Sequence, residues 1–230
     1  MDKKRKQWKR FEQDSYHPPH FDKEAINHSV YAREYITEGY NVSDTNQLIF
    51  NFKKSPGRQD KPEWQYKVKA TKQFAIELHG LLSHSNKKSQ FIIMTVPVSK
   101  LRGNEQYDPR FDMMVDELIK INAQAHHARK TYIIEMPIVL KENIKSASRE
   151  KGSRKVDEIY RYYEWQGFTN KVPGSIILVD DVVTTGGHFM ACKRFIHKKF
   201  PNIKIYGVFW SRTISEDEQG NQTVEKEKNG

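Results

Sequence analysis

Two hydrophobic patterns divide the chain near residue 90. Beyond it, short and mostly apolar runs at 91–96, 132–140, 176–179 and 205–210 alternate with amphipathic stretches. A run with no polar interruption has both of its faces covered, as in a buried parallel strand. Between the runs the spacing changes to three and four. Phe111, Met114, Val115, Leu118, Ile119 and Asn122 form the inner face of a helix that begins at Asp108 or Pro109. A second helix is predicted over 187–198, and residues 156–165 read as a short helix or a bent strand. Strand and helix in alternation predict an α/β fold, a mostly parallel twisted sheet flanked by helices. Ligands of such sheets sit outside the carboxyl ends of the strands. Chemistry is therefore expected after Val96, Leu140 and Val179.

Before residue 90 the pattern is less regular. Residues 29–36 and 47–52 read as two β-like runs separated by Gly39, Asn41, Ser43 and Asp44, which suggests a hairpin. A polar loop over 53–62 follows. Pro62 then opens a helix with Trp64, Val68, Thr71, Ala75, Leu78 and Leu82 on one stripe. The organisation that results is a basic flexible arm (1–15), an N-terminal hood with the first helix (16–89), the α/β core (90–212) and a flexible charged tail (213–230).

Charge and composition narrow the function classes. The formal net charge is +10, from 39 Lys and Arg against 29 Asp and Glu. Such an excess suits nucleic acid, or a substrate with several phosphates. Six of the basic residues lie within the first ten positions, so part of the excess belongs to the arm. No apolar run approaches the roughly 20 residues that span a bilayer, and no apolar segment of the secretory type follows the basic start. The one cysteine, Cys192, excludes an intramolecular disulfide and fits a reducing compartment. The expectation is a cytoplasmic protein with no membrane association.

The most informative segment follows the run at 176–179. It reads Asp180, Asp181, Val182, Val183, Thr184, Thr185, Gly186, Gly187, His188 and leads into a helix. A phosphate dianion needs several N–H donors converging on one point, and a turn into a helix N-terminus supplies them. Glycines admit a close approach of the backbone, and threonine hydroxyls add donors. Adjacent carboxylates repel a phosphate, but they accept hydrogen bonds from vicinal hydroxyls or hold a hydrated cation. Acceptors for a diol beside donors for a phosphate together match a ribose 5-phosphate.

The segment resembles the thirteen-residue phosphoribosyl pyrophosphate signature of the type I phosphoribosyltransferases: four apolar residues, two acidic, an apolar pair, Thr-Thr-Gly, a small residue, then Thr or Ser. Twelve of the thirteen positions agree, and His188 stands where the family has a hydroxyl residue. The resemblance covers about residues 91–210. It implies the type I phosphoribosyltransferase fold, with a variable N-terminal hood over the acceptor. It also implies Mg2+ as cofactor, with Asp180 and Asp181 as catalytic and metal-associated residues. Val182, Val183, Thr184, Thr185, Gly186, Gly187 and His188 would form the substrate-binding loop.

Two more loops take roles from the same resemblance. After Val96, Ser99, Lys100 and Arg102 suit a diphosphate and would form the pyrophosphate loop, with Tyr107, Asp108 and Arg110 organising its wall. The Pro-Val-Ser start is similar to the competence-associated and amidophosphoribosyltransferase-like branch. After Leu140, residues 141–155 are small, polar and cationic, as in a mobile lid. Arg149, Lys151 and Arg154 would meet the leaving pyrophosphate there. The implied activity is transfer of the phosphoribosyl group to a nitrogen nucleophile with release of pyrophosphate, Asp181 being placed to act as base. Two further readings stay open: a non-catalytic sensor or regulator of nucleotide or phosphoribosyl pyrophosphate, and an effector that drains such pools in bacterial or phage conflict. The partners in view are the donor, a base or amine acceptor, a second copy in a homodimer, and nucleic acid through the basic arm.

Overall fold

The computed structural model describes residues 8–37, 39–83, 91–124, 132–144, 156–170 and 174–214. Its first part holds β1 (Lys9–Arg10), α1 (Lys23–Asn27), β2 (Ser29–Tyr31), β3 (Glu34–Ile36), α2 (Asp44–Phe52) and α3 (Trp64–Ser83). The remainder holds β4 (Phe91–Thr95), α4 (Arg110–Gln124), β5 (Tyr132–Ile134), β6 (Ile138–Leu140), α5 (Val156–Tyr160), β7 (Tyr163–Trp165), β8 (Ser175–Val183), α6 (Gly187–His197) and β9 (Lys204–Ile214).

Seven strands make one sheet in the order β1-β2-β9-β8-β4-β5, with β3 also on β9. Only the β1–β2 pairing is antiparallel. Each face of the sheet is covered. Ile93, Ile177 and Val208 pack with α2, α3 and α4 through Phe52, Phe74, Leu78 and Met114. Ile92, Leu178 and Phe209 pack on the other face with α6 through Phe189, Cys192 and Ile196. The fold is therefore α/β, with a mostly parallel mixed sheet flanked by helices. No helix among the described residues is long and apolar enough to cross a membrane.

The order of the strands creates a crevice. From β4 the chain passes through α4 to β5 on one side; the next strand to join the sheet, β8, lies on the other side of β4. The helix after β4 covers one face and the helix after β8 the opposite face. The carboxyl ends of β4 and β8 thus flank a topological switch point, where open α/β sheets leave room for ligands. Register brings the two ends level: Thr95 pairs with Val179, and the Val96 N–H donates to the Val179 carbonyl over 2.9 Å.

Several local expectations need correction. Residues 47–52 belong to a helix, not to a hairpin strand. The Ser43 hydroxyl accepts from the Asn46 N–H at 3.0 Å and caps α2, and the buried Asn46, Ile49 and Phe52 recur at helical spacing. β2 and β3 pair with β9 rather than with each other. The run at 132–140 splits into β5 and β6, and β6 pairs antiparallel with β7 in a separate two-stranded sheet. At the break, the Glu135 carboxylate accepts from the N–H groups of Thr169 and Asn170 at 2.8 and 3.0 Å, and Pro137 has no N–H to give a ladder. The stripe on α3 is rotated: Val68 is exposed and Lys67 is buried. The proposed arm (1–15) is structured from Lys9, because β1 joins the sheet and Phe11 is fully buried. The proposed tail begins inside β9, which runs to Ile214.

Candidate functional site

The two aspartates are the last acidic residues of a strand rather than the start of a loop, because β8 continues to Val183 and pairs with β9 through Val182–Ser211 and Val183–Arg212. Alternation along a strand sends neighbouring side chains to opposite faces. Asp181 enters the face covered by α2–α4, where it is 2% exposed. Its Oδ1 accepts from the Val182 N–H at 2.7 Å and from the Lys53 ammonium at 3.0 Å, and its Oδ2 lies 2.8 Å from Arg110 Nε. Burial alone would raise this carboxyl, but Arg110 and then Lys53 outweigh it and hold the pKa below the ordinary value.

The pairing extends into a network. Arg110 also binds Asp108 at 2.7 Å, and Asp108 accepts from Lys67 at 2.6 Å. Lys67 is wholly buried, and its remaining protons go to the Phe52 and Lys54 carbonyls at 2.6 and 3.0 Å. A lysine of α3 thus satisfies carbonyls left unpaired at the end of α2 and in the turn after it. These contacts tie α2, α3 and the start of α4 to the carboxylate at the end of β8.

Asp180 meets a different environment. It is partly buried on the face covered by α5 and α6, within electrostatic reach of Tyr163 and Cys192. Its Oδ1 accepts from the Asp181 N–H at 2.8 Å, and it makes no ion pair among the described residues. Burial, and next the negative charge of Asp181, push its pKa up to about 7. Burial also raises the Cys192 thiol well above its ordinary value, so this free cysteine is an inert core residue.

The turn that follows is Thr184, Thr185 and Gly186. Gly186 has φ +79° and caps α6, its carbonyl accepting from the Met190 N–H at 2.9 Å. A Cβ at this position would lie 2.5 Å from the Phe21 ring, so both the backbone angle and the close packing require glycine. The His20 N–H donates to the Thr185 carbonyl at 2.9 Å. Residues 18–21 therefore brace one side of the turn. The Thr184 hydroxyl shares a 3.1 Å hydrogen bond with that of Thr213. Gly187 is buried and His188 half-buried in the first turn of α6. Val182 packs against the α2–α4 core and Val183 lies within the α5–α6 core, so both are held by the fold itself.

The loop after β4 borders a cavity of about 340 Å³, lined by Lys100, Arg102, Tyr107, Met136 and Ile138 among others, but by none of residues 180–188. Ser99 is exposed. Arg102 is paired with Asp112, which also accepts from the Tyr107 hydroxyl at 2.7 Å. Lys100 forms no ion pair among the described residues. The structure thus places the two loops at neighbouring strand ends without joining them in one cavity. Arg110 turns to Asp181 rather than to the wall of this loop. Arg149, Lys151 and Arg154 lie outside the described residues.

Asp180 and Asp181 do not fit a shared metal position. They leave opposite faces of β8, and both oxygens of Asp181 are engaged by cations. No group of three or more His, Cys, Asp or Glu side chains gathers to hold a metal among the described residues. In the hood, Arg33 pairs with Glu77 and Glu34 with Lys9, while Asn46 bonds to the Ile36 and Gly39 carbonyls. These residues fasten the hood rather than face the crevice. Lys53 and Lys67 were the site residues that sequence reasoning missed. The signal was a lysine on an otherwise apolar helix stripe and another directly after a capped helix. No family model matches the chain, and no curated protein matches it.

Proposed function

We propose that the chain is a type I phosphoribosyltransferase-fold protein that binds phosphoribosyl pyrophosphate at the carboxyl ends of β4 and β8. One observation carries this reading: a Thr-Thr-Gly turn with a left-handed glycine opens α6 beside the switch-point crevice, directly after a strand ending in two carboxylates. The N-terminus of α6 with the Thr184 and Thr185 hydroxyls would take the 5′-phosphate. Asp180, which makes no ion pair among the described residues, would accept from the ribose hydroxyls. Lys100 would meet the diphosphate from the adjacent strand end.

In the reaction, the bond from C1 to the pyrophosphate oxygen breaks and a bond from C1 to the acceptor nitrogen forms. Pyrophosphate leaves with the bonding pair, and the nitrogen loses a proton. Asp180 suits that proton transfer better than Asp181, because its pKa lies near neutrality whereas Arg110 and Lys53 keep Asp181 ionised.

A binding-only regulator is the second reading, favoured by the pairing of both Asp181 oxygens with cations. Calorimetry with phosphoribosyl pyrophosphate, with and without Mg2+, tests both, followed by pyrophosphate release with a panel of nucleobases and amines. Saturable binding with acceptor-dependent release supports the transferase. Binding without release supports the regulator, release without any acceptor supports a pool-draining effector, and no binding removes all three.

A further inference from the structure

A second surface lies on the hood side of the molecule. Between β3, α2 and the turn after α2 runs a groove of about 460 Å³ whose walls carry Tyr35, Tyr40 and Phe50 and whose rim carries Lys53, Lys54 and Arg58. No carboxylate among the described residues lines it. Tyr40 is 44% and Phe50 42% exposed, with their ring centres 5.9 Å apart and nearly perpendicular. Leaving such rings open forgoes burial that would stabilise the fold.

The pattern continues beyond the groove. The Lys54 ammonium stands 5.6 Å from the centre of the Tyr66 ring, and Lys69 stands 5.5 Å from the same ring, which is 47% exposed. Aromatic rings and cations therefore alternate from Tyr40 across the end of α2 to the first turns of α3. The Arg58–Glu63 pair is solvent-exposed at 3.3 Å and exchanges at little cost.

We propose that this groove and its extension over Tyr66 bind a single-stranded nucleic acid, with bases stacked on Phe50 and Tyr40 and phosphates met by Lys54, Arg58 and Lys69. Stacking needs exposed base faces, which a duplex withholds. The extension past one groove calls for more than one nucleotide. The chain's net charge of +10 complements such a strand. The groove shares only Lys53 with the Asp181 network and does not depend on the transferase reading, and none of its residues belongs to residues 1–15.

The test is fluorescence anisotropy of labelled oligothymidylate and oligouridylate 12-mers with the full chain. The expected result is binding that weakens about tenfold between 50 and 200 mM salt. Phe50→Ala and Tyr40→Ala should each weaken it by about 5-fold or more, as loss of a stacking ring does. Lys54→Gln with Arg58→Gln should weaken it further and flatten the salt dependence. Phe50→Trp should keep the affinity and show quenched tryptophan emission on binding, which confirms a stacked base in a folded protein. The proposal is overturned if the ring variants stay within twofold of the parent, which would assign binding to the arm. It is also overturned if a 12-base-pair duplex, a mononucleotide or polyglutamate binds as tightly as the 12-mer, or if no strand binds.

Discussion

On the α2–α4 side of the sheet, Asp181 lies among Lys53, Arg110, Asp108 and Lys67, and its carboxylate is held ionised. On the α5–α6 side, Asp180, one residue earlier, faces Tyr163 and Cys192 and is pushed up to about 7. The residue type is the same and the backbone is continuous. What differs is direct pairing: Lys53 and Arg110 contact Asp181, whereas they act on Asp180 only at longer range, where burial and the charge of Asp181 outweigh them. A pair that reads in sequence as one acidic unit is therefore two groups in opposite environments: an anion paired with cations that join the helices to the sheet, and a carboxyl whose pKa is raised by burial. The contrast can be broken from either side.

The largest effect should come from removing the cation that bridges both acids of the charged face. Arg110→Leu takes one of two cations from each of Asp181 and Asp108 and leaves Lys53 and Lys67 as their remaining partners; removing one partner from a buried ionic network in this way costs up to about 3–5 kcal/mol. Urea denaturation should show this loss, and Arg110→Lys should restore only part of it, because an ammonium cannot reach both carboxylates in the same fork. An Arg110→Leu protein as stable as the parent would mean that the network carries no structural weight.

Gly186 comes next. Alanine there must adopt φ +79°, worth about 1–3 kcal/mol, and must also displace Phe21, a packing cost of about 1–3 kcal/mol. The second part should vanish in a Phe21→Ala background while the first remains. If melting temperatures show the two changes to be additive, the brace formed by residues 18–21 is not what holds the turn.

The strands of the sheet's centre were legible because complete burial leaves an unbroken apolar run, as in residues 91–95 and 176–179. The turn at Thr184–Gly186 was legible because a positive φ leaves few residue choices. The α2 helix was hidden because Leu48, Ile49, Phe50 and Phe52 favour a strand by composition, and only the Ser43 cap and the three-residue recurrence of buried positions reveal the helix. The division of the two aspartates was illegible for a different reason. It depends on Lys67, which is 41 positions from Asp108, and on Arg110 and Lys53, which are 71 and 128 positions from Asp181, and a lysine in sequence carries no sign of burial.

A smaller effect, opposite in sign, is expected on the uncharged face. The folded-state pKa of Asp180 lies above its ordinary 3.8, so this carboxyl's ionisation works against folding as pH rises. Its contribution is fully favourable below about pH 4 and is lost as pH climbs to about 7. Asp180→Asn should therefore be more stable than the parent at pH 8, by about 1–3 kcal/mol, with the advantage fading towards pH 4. Asp181→Asn should behave oppositely: its lowered pKa gives stability present above the ordinary value and lost as pH falls below it. Denaturation at pH 4, 6 and 8 decides. Equal pH profiles for the two variants would erase the distinction between the faces.

The smallest change should sharpen the comparison most for function. Lys53 is 40% exposed at its side chain, whereas the Asp181 it binds is 3% exposed. An ion pair open to solvent on one side contributes about 1 kcal/mol or less. Arg110 remains to neutralise Asp181 when Lys53 is gone. Lys53→Met should accordingly lower stability by under about 1 kcal/mol and leave the rest of the network in place. Its use lies in the donor measurement. If Asp180 alone receives the ribose hydroxyls, calorimetry with phosphoribosyl pyrophosphate should give the same affinity for Lys53→Met as for the parent. If Asp181 must also turn to the sugar, freeing its Oδ1 should tighten binding, and the division of labour between the two carboxylates would have to be redrawn.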